Sequence, residues 1–299
     1  MKRGLLLIDR GSKQREAEEE LEVLVKEILK KSDYVFADYC FLEVVPPFID
    51  DGVKKCLKAD IESLTIVPYF LYPGRKVKAA VTDVMKFQSS TNIKFLVTKP
   101  MTMHQKLIDL VDNRVTTTLK KHEVSLPKDQ VDVLIIGHGS KDPNAKISID
   151  YVVDGLKKTY RNVDRCFLEI EEPDIPAGIA KCDSNNPKAL VIVFYFLHEG
   201  AHVKTDINLD LKPALEKSSM KNVYNTEHIG TDMTMVDLIL ERAKEVEKTK
   251  ILETWVSGNR YEVKPKPDYD VRGTWTGMTR SVSVDTISFV IKGDADKLQ

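Results

Sequence analysis

One offset runs through this chain and constrains it more than any single motif. Cys40 recurs as Cys166 and Cys56 as Cys182, both 126 positions later. Phe41-Leu42-Glu43 maps onto Phe167-Leu168-Glu169, Pro47 onto Pro173, Gly52 onto Gly178, Tyr69-Phe70-Leu71 onto Tyr195-Phe196-Leu197 and Gly74 onto Gly200. Toward both ends of the repeat the offset becomes 128: LLLIDRGS (5–12) aligns with VLIIGHGS (133–140), and LIDLVDNR (107–114) with MVDLILER (235–242). A repeat this long is a whole domain rather than a solenoid unit, so two copies are expected, 1–125 and 126–248.

Each copy alternates short apolar runs with amphipathic stretches, the pattern of an α/β domain with a mainly parallel sheet flanked by helices. Strands are expected near 3–9, 35–42, 63–70 and 93–97, and again near 132–137, 163–169, 189–196 and 222–226. Leu107, Leu110, Val111 and Val115 stand at helical spacing in a helix over about 103–121. Right-handed crossovers would place helices on both faces of each sheet. After 249 the character changes. VKPKPDYDVRGTW is rich in Pro and charge, and TRSVSVDTISFVIKG alternates apolar with polar residues, so 249–299 reads as a linker and a short β extension.

The 45 Lys plus Arg against 46 Asp plus Glu give a net charge of −1, which argues against a dedicated nucleic-acid binder. No apolar run is long enough for a membrane span, and MKRGLLLIDRGS carries charge too early for a signal peptide, so a cytoplasmic location is expected. The four cysteines form no C-x-x-C pair and read as small core hydrophobes.

Sites in open α/β sheets form at the carboxyl ends of the strands. In the second copy three such ends carry polar groups: Gly137-His138-Gly139-Ser140, then Glu169 with Glu171 and Glu172, then His198-Glu199-Gly200-Ala201-His202. Imidazoles with a carboxylate suit a borderline divalent ion such as Co(II), Fe(II), Ni(II) or Zn(II). His198 has two readings, ligand or cleft lining. His104, His122 and His228 fall at helix starts or in loops and read as ordinary hydrogen-bonding groups. Neither G-x-x-x-x-G-K-[ST] nor G-x-S-x-G is present, which argues against a phosphate loop and a serine hydrolase.

VLIIGHGSKDPN, FLEIEEPDIPAGI and IVFYFLHEGAHVKTDI resemble the sirohydrochlorin chelatases, the cobalt- and iron-inserting enzymes of cobalamin and sirohaem synthesis with the class II chelatase fold. The resemblance covers both copies. It implies two tandem chelatase-like domains and a tetrapyrrole substrate, with no cofactor beyond the divalent metal substrate (cobalt, or iron or nickel). It also implies that His138 and His202 carry the metal with His198 auxiliary, and that His138, Glu169 and His202 are the catalytic set. Gly137, Gly139, Ser140, Lys141, Gly200 and Lys204 would line the substrate. The first copy departs from this pattern: Arg10 replaces His138 and Lys76 replaces His202, while Glu43 matches Glu169. Neither cation offers a lone pair, so one catalytic and one degenerate half are expected. Arg10, Arg75 and Lys76 either clamp the substrate's carboxylates or mark a site that drifted. The leading expectation is cobalt insertion by a monomeric pseudodimer; a tetrapyrrole or metal carrier, and an α/β protein with a dead site, are the competing readings.

Overall fold

The computed structural model describes residues 2–140, 143–198, 200–247, 260–264, 271–275, 278–282 and 288–292; side chains of Ser89, Pro143, Asn144, 201–204, Asp206 and everything past 259 lie outside the description. The first repeat runs β1 (Arg3–Asp9), α1 (Arg15–Lys31), β2 (Phe36–Phe41), α2 (Ile49–Lys58), β3 (Ser63–Pro68), α3 (Arg75–Met85), β4 (Lys94–Val97) and α4 (Gln105–Lys121). The second repeats it: β5 (Asp132–Gly137), α5 (Pro143–Leu156), β6 (Asn162–Phe167), α6 (Ile175–Ser184), β7 (Leu190–Phe194), α7 (Ala201–Lys217), β8 (Val223–Asn225) and α8 (Met233–Glu247).

Local sequence explains these elements. In β5 every position is buried, as a strand covered on both faces requires. Helix α1 buries Ala17, Leu21, Leu24, Val25 and Ile28 along one stripe, with Glu16 and Glu18 in its first turn and Lys30 and Lys31 in its last, complementing the helix dipole. The parallel orders are β2-β1-β3-β4 and β6-β5-β7-β8. Their registers match: Ile8 pairs with Cys40 and Ile136 with Cys166. Cores match as well. Leu6, Ile8, Cys40, Val53 and Cys56 cluster in the first repeat, and Leu134, Ile136, Cys166, Ile179 and Cys182 in the second. A Cβ on Gly52 would stand 2.6 Å from that of Cys40, and one on Gly178 2.6 Å from that of Cys166, so glycine lets α2 and α6 press against their sheets. All four cysteines are free and buried, as expected of core hydrophobes, and burial pushes the Cys56 and Cys182 thiols up to about 12.

The compact units follow the repeats except at their last helices. One unit is 1–102 with 235–299, and the other is the continuous stretch 103–234. Helix α4 thus belongs with the second sheet, and α8 with the first. Two pairs of equivalent residues hold the exchanged helices. Tyr160 donates to Asp112 of α4 at 2.7 Å, and its counterpart Tyr34 donates to Glu247 of α8 at 2.5 Å. Burial first, then the neighbouring carboxylate, raises both phenols above their usual value. At the other end Arg114 of α4 donates to the Ile229 carbonyl at 2.8 Å, and its counterpart Arg242 of α8 to that of Thr102 at 2.5 Å.

Beyond 259 the structure describes β9 (Arg260–Lys264), β10 (Val271–Trp275), β11 (Met278–Val282) and β12 (Ser288–Lys292). β10 and β11 form an antiparallel hairpin, while β12 pairs antiparallel with β9 and, at Phe289, with Val97 of β4. The first sheet therefore has the order β2-β1-β3-β4-β12-β9. No helix among the described residues is long and apolar enough to cross a membrane.

Candidate functional site

The strand order turns back on itself between β5 and β7, and the crevice at the carboxyl ends of such a pair is where open α/β sheets bind ligands. Three segments leave the second sheet there. The residues after β5 and β6 stay paired beyond the strands: Leu168 N donates to the Gly137 carbonyl at 2.9 Å and Glu169 N to that of His138 at 3.1 Å. This ladder brings His138 Nε2 within 3.4 Å of Glu169 Oε1. Both side chains remain open to solvent, at 36% and 57% exposure, so the pair can receive a cation from outside.

Glycine makes the approach possible. Gly139 has φ +89°, and a Cβ there would lie 1.9 Å from the Glu169 carbonyl oxygen. Gly11 in the first repeat has φ +96° and would collide with the Glu43 carbonyl at 2.2 Å. The residues that follow the two glutamates, Val44 (φ 77°) and Ile170 (φ 75°), are β-branched side chains in the left-handed region. Such strain costs on the order of 1–3 kcal/mol and persists where the surrounding structure demands it. Nothing in the residue pattern around Val44 and Ile170 marks it.

Ser140 N donates to Glu171 at 3.0 Å, tying the first loop to the second. Gly137 ends β5 in the core, and Gly200 caps α7 in an extended conformation. His198 follows β7 and is half-buried. His202 is the second residue of α7, and Lys204 the fourth; their side chains, and Lys141 altogether, lie outside the described residues. Among the described residues no three His, Cys, Asp or Glu side chains gather as a metal-binding group.

The first repeat shows what the same three positions do when all are described. Arg10 Nε donates to Glu43 at 3.0 Å, and Lys76 Nζ lies 2.6 and 2.5 Å from its two oxygens. Partial burial works against the Glu43 carboxylate, but Lys76 and then Arg10 outweigh it and hold its pKa below the usual range. Arg75, at the first turn of α3, is exposed. Of the histidines expected to be ordinary hydrogen-bonding groups, His104 caps α4 by accepting from Lys106 N at 3.2 Å, and His122 packs against Tyr224 with ring centroids 4.9 Å apart.

Two copies of a doubly wound α/β domain, one with a solvent-facing histidine–carboxylate pair at its switch point, define a duplicated protein with one polar site and one ion-paired counterpart. The CbiX family model matches residues 4–118 and again 132–246, and the chain belongs to that family. It is 22% identical over 267 residues to the sirohydrochlorin ferrochelatase of Priestia megaterium, covering 87% of this chain and 94% of that one. To the sirohydrochlorin cobaltochelatase of the same organism it is 25% identical over 175 residues, covering 57% of this chain and 56% of that one. The structure of SirB from Bacillus subtilis with Fe3+ shares the fold, with a TM-score of 0.70 and 21% identity over 83% of this chain and 96% of that one. The class II chelatase fold and the two-repeat organisation expected from the motifs are those observed.

Proposed function

We propose that this chain is a sirohydrochlorin chelatase working through its second repeat, with cobalt as its metal. The carrying observation is the 3.4 Å approach of His138 Nε2 to Glu169 Oε1 at the switch-point end of the sheet. The Arg10–Glu43–Lys76 cluster supports the third member: in the first repeat the position equivalent to His202 lies in hydrogen-bonding reach of the glutamate. Both metals occur among the named relatives, cobalt and iron, and imidazole with carboxylate suits either.

Insertion requires the divalent substrate to shed water, the macrocycle to lose two pyrrole protons, and one tetrapyrrole face to lie open to the ion. In this reading His138 and His202 hold and pass the metal, with His198 beside them. Glu169, adjacent to His138, neutralises part of the ion's charge and accepts a proton. Gly137, Gly139, Ser140 and Gly200 let backbone come close to the flat substrate, and Lys141 and Lys204 attend its carboxylates. In the first repeat Arg75 stays exposed at the start of α3. Arg10 and Lys76 are already committed to Glu43, which leaves their cluster a net charge of one for a substrate carboxylate. No cofactor is required, and a monomer suffices for the chemistry.

The test is anaerobic spectrophotometry of sirohydrochlorin with Co(II) or Fe(II). Wild type should accelerate insertion above the uncatalysed rate, and His138→Ala should remove the acceleration. A spectral shift on binding without turnover would make the protein a carrier, and faster iron insertion would reverse the choice of metal.

A further inference from the structure

We propose that Arg114 is a positioning residue that holds the segment after β7, and through it the third element of the metal site; the metal-related half of this statement rests on the chelatase reading. Arg114 sits on α4, in the first repeat by sequence but inside the compact unit that carries His138 and Glu169. Its guanidinium is largely buried and reaches the loop between β8 and α8. It donates to the Ile229 carbonyl at 2.8 Å and lies 3.3 Å from Asp232 and 3.7 Å from Glu227. That loop is bonded in turn to the segment leading out of β7. Ile229 N donates to the Phe196 carbonyl at 2.9 Å, and Gly230 N to the Leu197 carbonyl at 3.0 Å. His198 is the next residue, and Gly200 and His202 follow in the turn into α7. Arg114 is therefore linked to the segment before His198 through two successive hydrogen bonds.

A guanidinium is suited to this task because its charge is permanent and its donors are fixed in a plane, so it can grip a carbonyl and a carboxylate together. The repeat supplies an internal control. Arg242 is the equivalent residue, binds the Thr102 carbonyl at 2.5 Å, and secures a loop whose Met101 N donates to the Phe70 carbonyl at 2.9 Å. The segment it steadies leads to Lys76, which is bonded to Glu43 rather than available to a metal. Loss of Arg242 therefore perturbs the same fold element without the same site.

The experiment uses the full chain as wild type, Arg114→Ala, Arg114→Lys, Arg242→Ala and Arg242→Lys. Two readouts are taken: visible absorbance during Co(II) titration, and amide hydrogen exchange at 195–200 without metal. Removing an outer partner of a metal site typically weakens metal binding about 10–100-fold, so Co(II) binding should weaken at least tenfold in Arg114→Ala. Arg114→Lys, which keeps the charge, should recover part of the loss, and Arg242→Ala should stay within twofold of wild type. Exchange at 195–200 should quicken in Arg114→Ala alone. Equal losses of Co(II) affinity in Arg114→Ala and Arg242→Ala would overturn the proposal, as would unchanged exchange at 195–200. If Arg114→Ala does not fold, the two lysine variants decide by the same criteria. If wild type binds no Co(II), the chelatase reading falls, and the exchange data alone decide whether Arg114 holds the segment.

Discussion

The ammonium of Lys76 stands 2.5 Å from the carboxylate of Glu43, where the second repeat has histidine and glutamate at the same positions. Arg10 completes the cluster at 3.0 Å. Two cations and one carboxylate carry the same net charge as two neutral imidazoles, one carboxylate and a divalent ion. If the second repeat takes a divalent ion as proposed, the first repeat keeps the charge balance of that loaded site without a metal. Replacing both cations with imidazole should open it. The double variant Arg10→His with Lys76→His is expected to bind one more Co(II) per chain than wild type by equilibrium dialysis, and the added equivalent should vanish when Glu43→Gln is included.

Acid should reveal the same cluster. Because the folded pKa of Glu43 is lowered, its contribution to stability is fully present above its unfolded value of about 4.3 and is lost as pH falls through the lower folded value. Glu245 has the same sign: burial opposes its charge, and Arg242 then Lys99 prevail. The Glu43 side chain is about a third exposed, so solvent screening keeps its share to about 1 kcal/mol or less. Urea midpoints measured from pH 6 down to pH 3 should fall less steeply in Glu43→Gln and Glu245→Gln than in wild type. Parallel curves for all three would remove these carboxylates from the account.

Gly139 and Gly11 separate architecture from chemistry. A methyl at Gly139 would meet the Glu169 carbonyl at 1.9 Å, and one at Gly11 the Glu43 carbonyl at 2.2 Å, both from left-handed backbone. An alanine in that conformation costs about 1–2 kcal/mol before any collision is counted. Both substitutions should lower the thermal midpoint. Only Gly139→Ala should also abolish insertion of metal, because it alone drives Glu169 away from His138. Equal activity losses in the two variants would mean that the first repeat takes part in catalysis.

The repeat makes much of the fold legible in the sequence. Offsets of 126 and 128 fixed the two parallel sheets, and strand ends such as Gly137-His138 and Phe167-Leu168-Glu169 could be placed because buried parallel strands are continuous apolar runs. The exchange of α4 and α8 was not readable, since hydrophobic periodicity says that a helix is covered and not which sheet covers it. Arg114 and Arg242 were visible as aligned letters, but the Ile229 and Thr102 carbonyls they grip are backbone groups, which leave no mark in sequence. The left-handed Val44 and Ile170 were hidden for the opposite reason: a β-branched residue signals a strand, and only the surrounding loop forces it elsewhere.

The exchange itself decides where the chain can be divided. Helix α4 buries Leu107, Leu110, Val111, Val115 and Leu119 in the unit that ends at 234. At roughly 1.5–3 kcal/mol for each buried aliphatic side chain, losing that face removes on the order of 10 kcal/mol, comparable to the whole stability of a domain. A cut at the repeat boundary makes 126–248, which lacks α4 and carries α8 without its sheet. A cut at the unit boundary makes 103–234, which keeps the order β6-β5-β7-β8, the Tyr160–Asp112 bond, and His138 with Glu169. Fragment 103–234 should therefore unfold cooperatively in urea, and 126–248 should not. Within the full chain, Tyr34→Phe leaves the nearly buried Glu247 carboxylate short of a donor and should cost about 1–3 kcal/mol, whereas Tyr160→Phe should cost less, because Asp112 is a third exposed and keeps Lys128. Cooperative unfolding of 126–248 at the midpoint of 103–234 would mean that α4 contributes nothing to the sheet it covers.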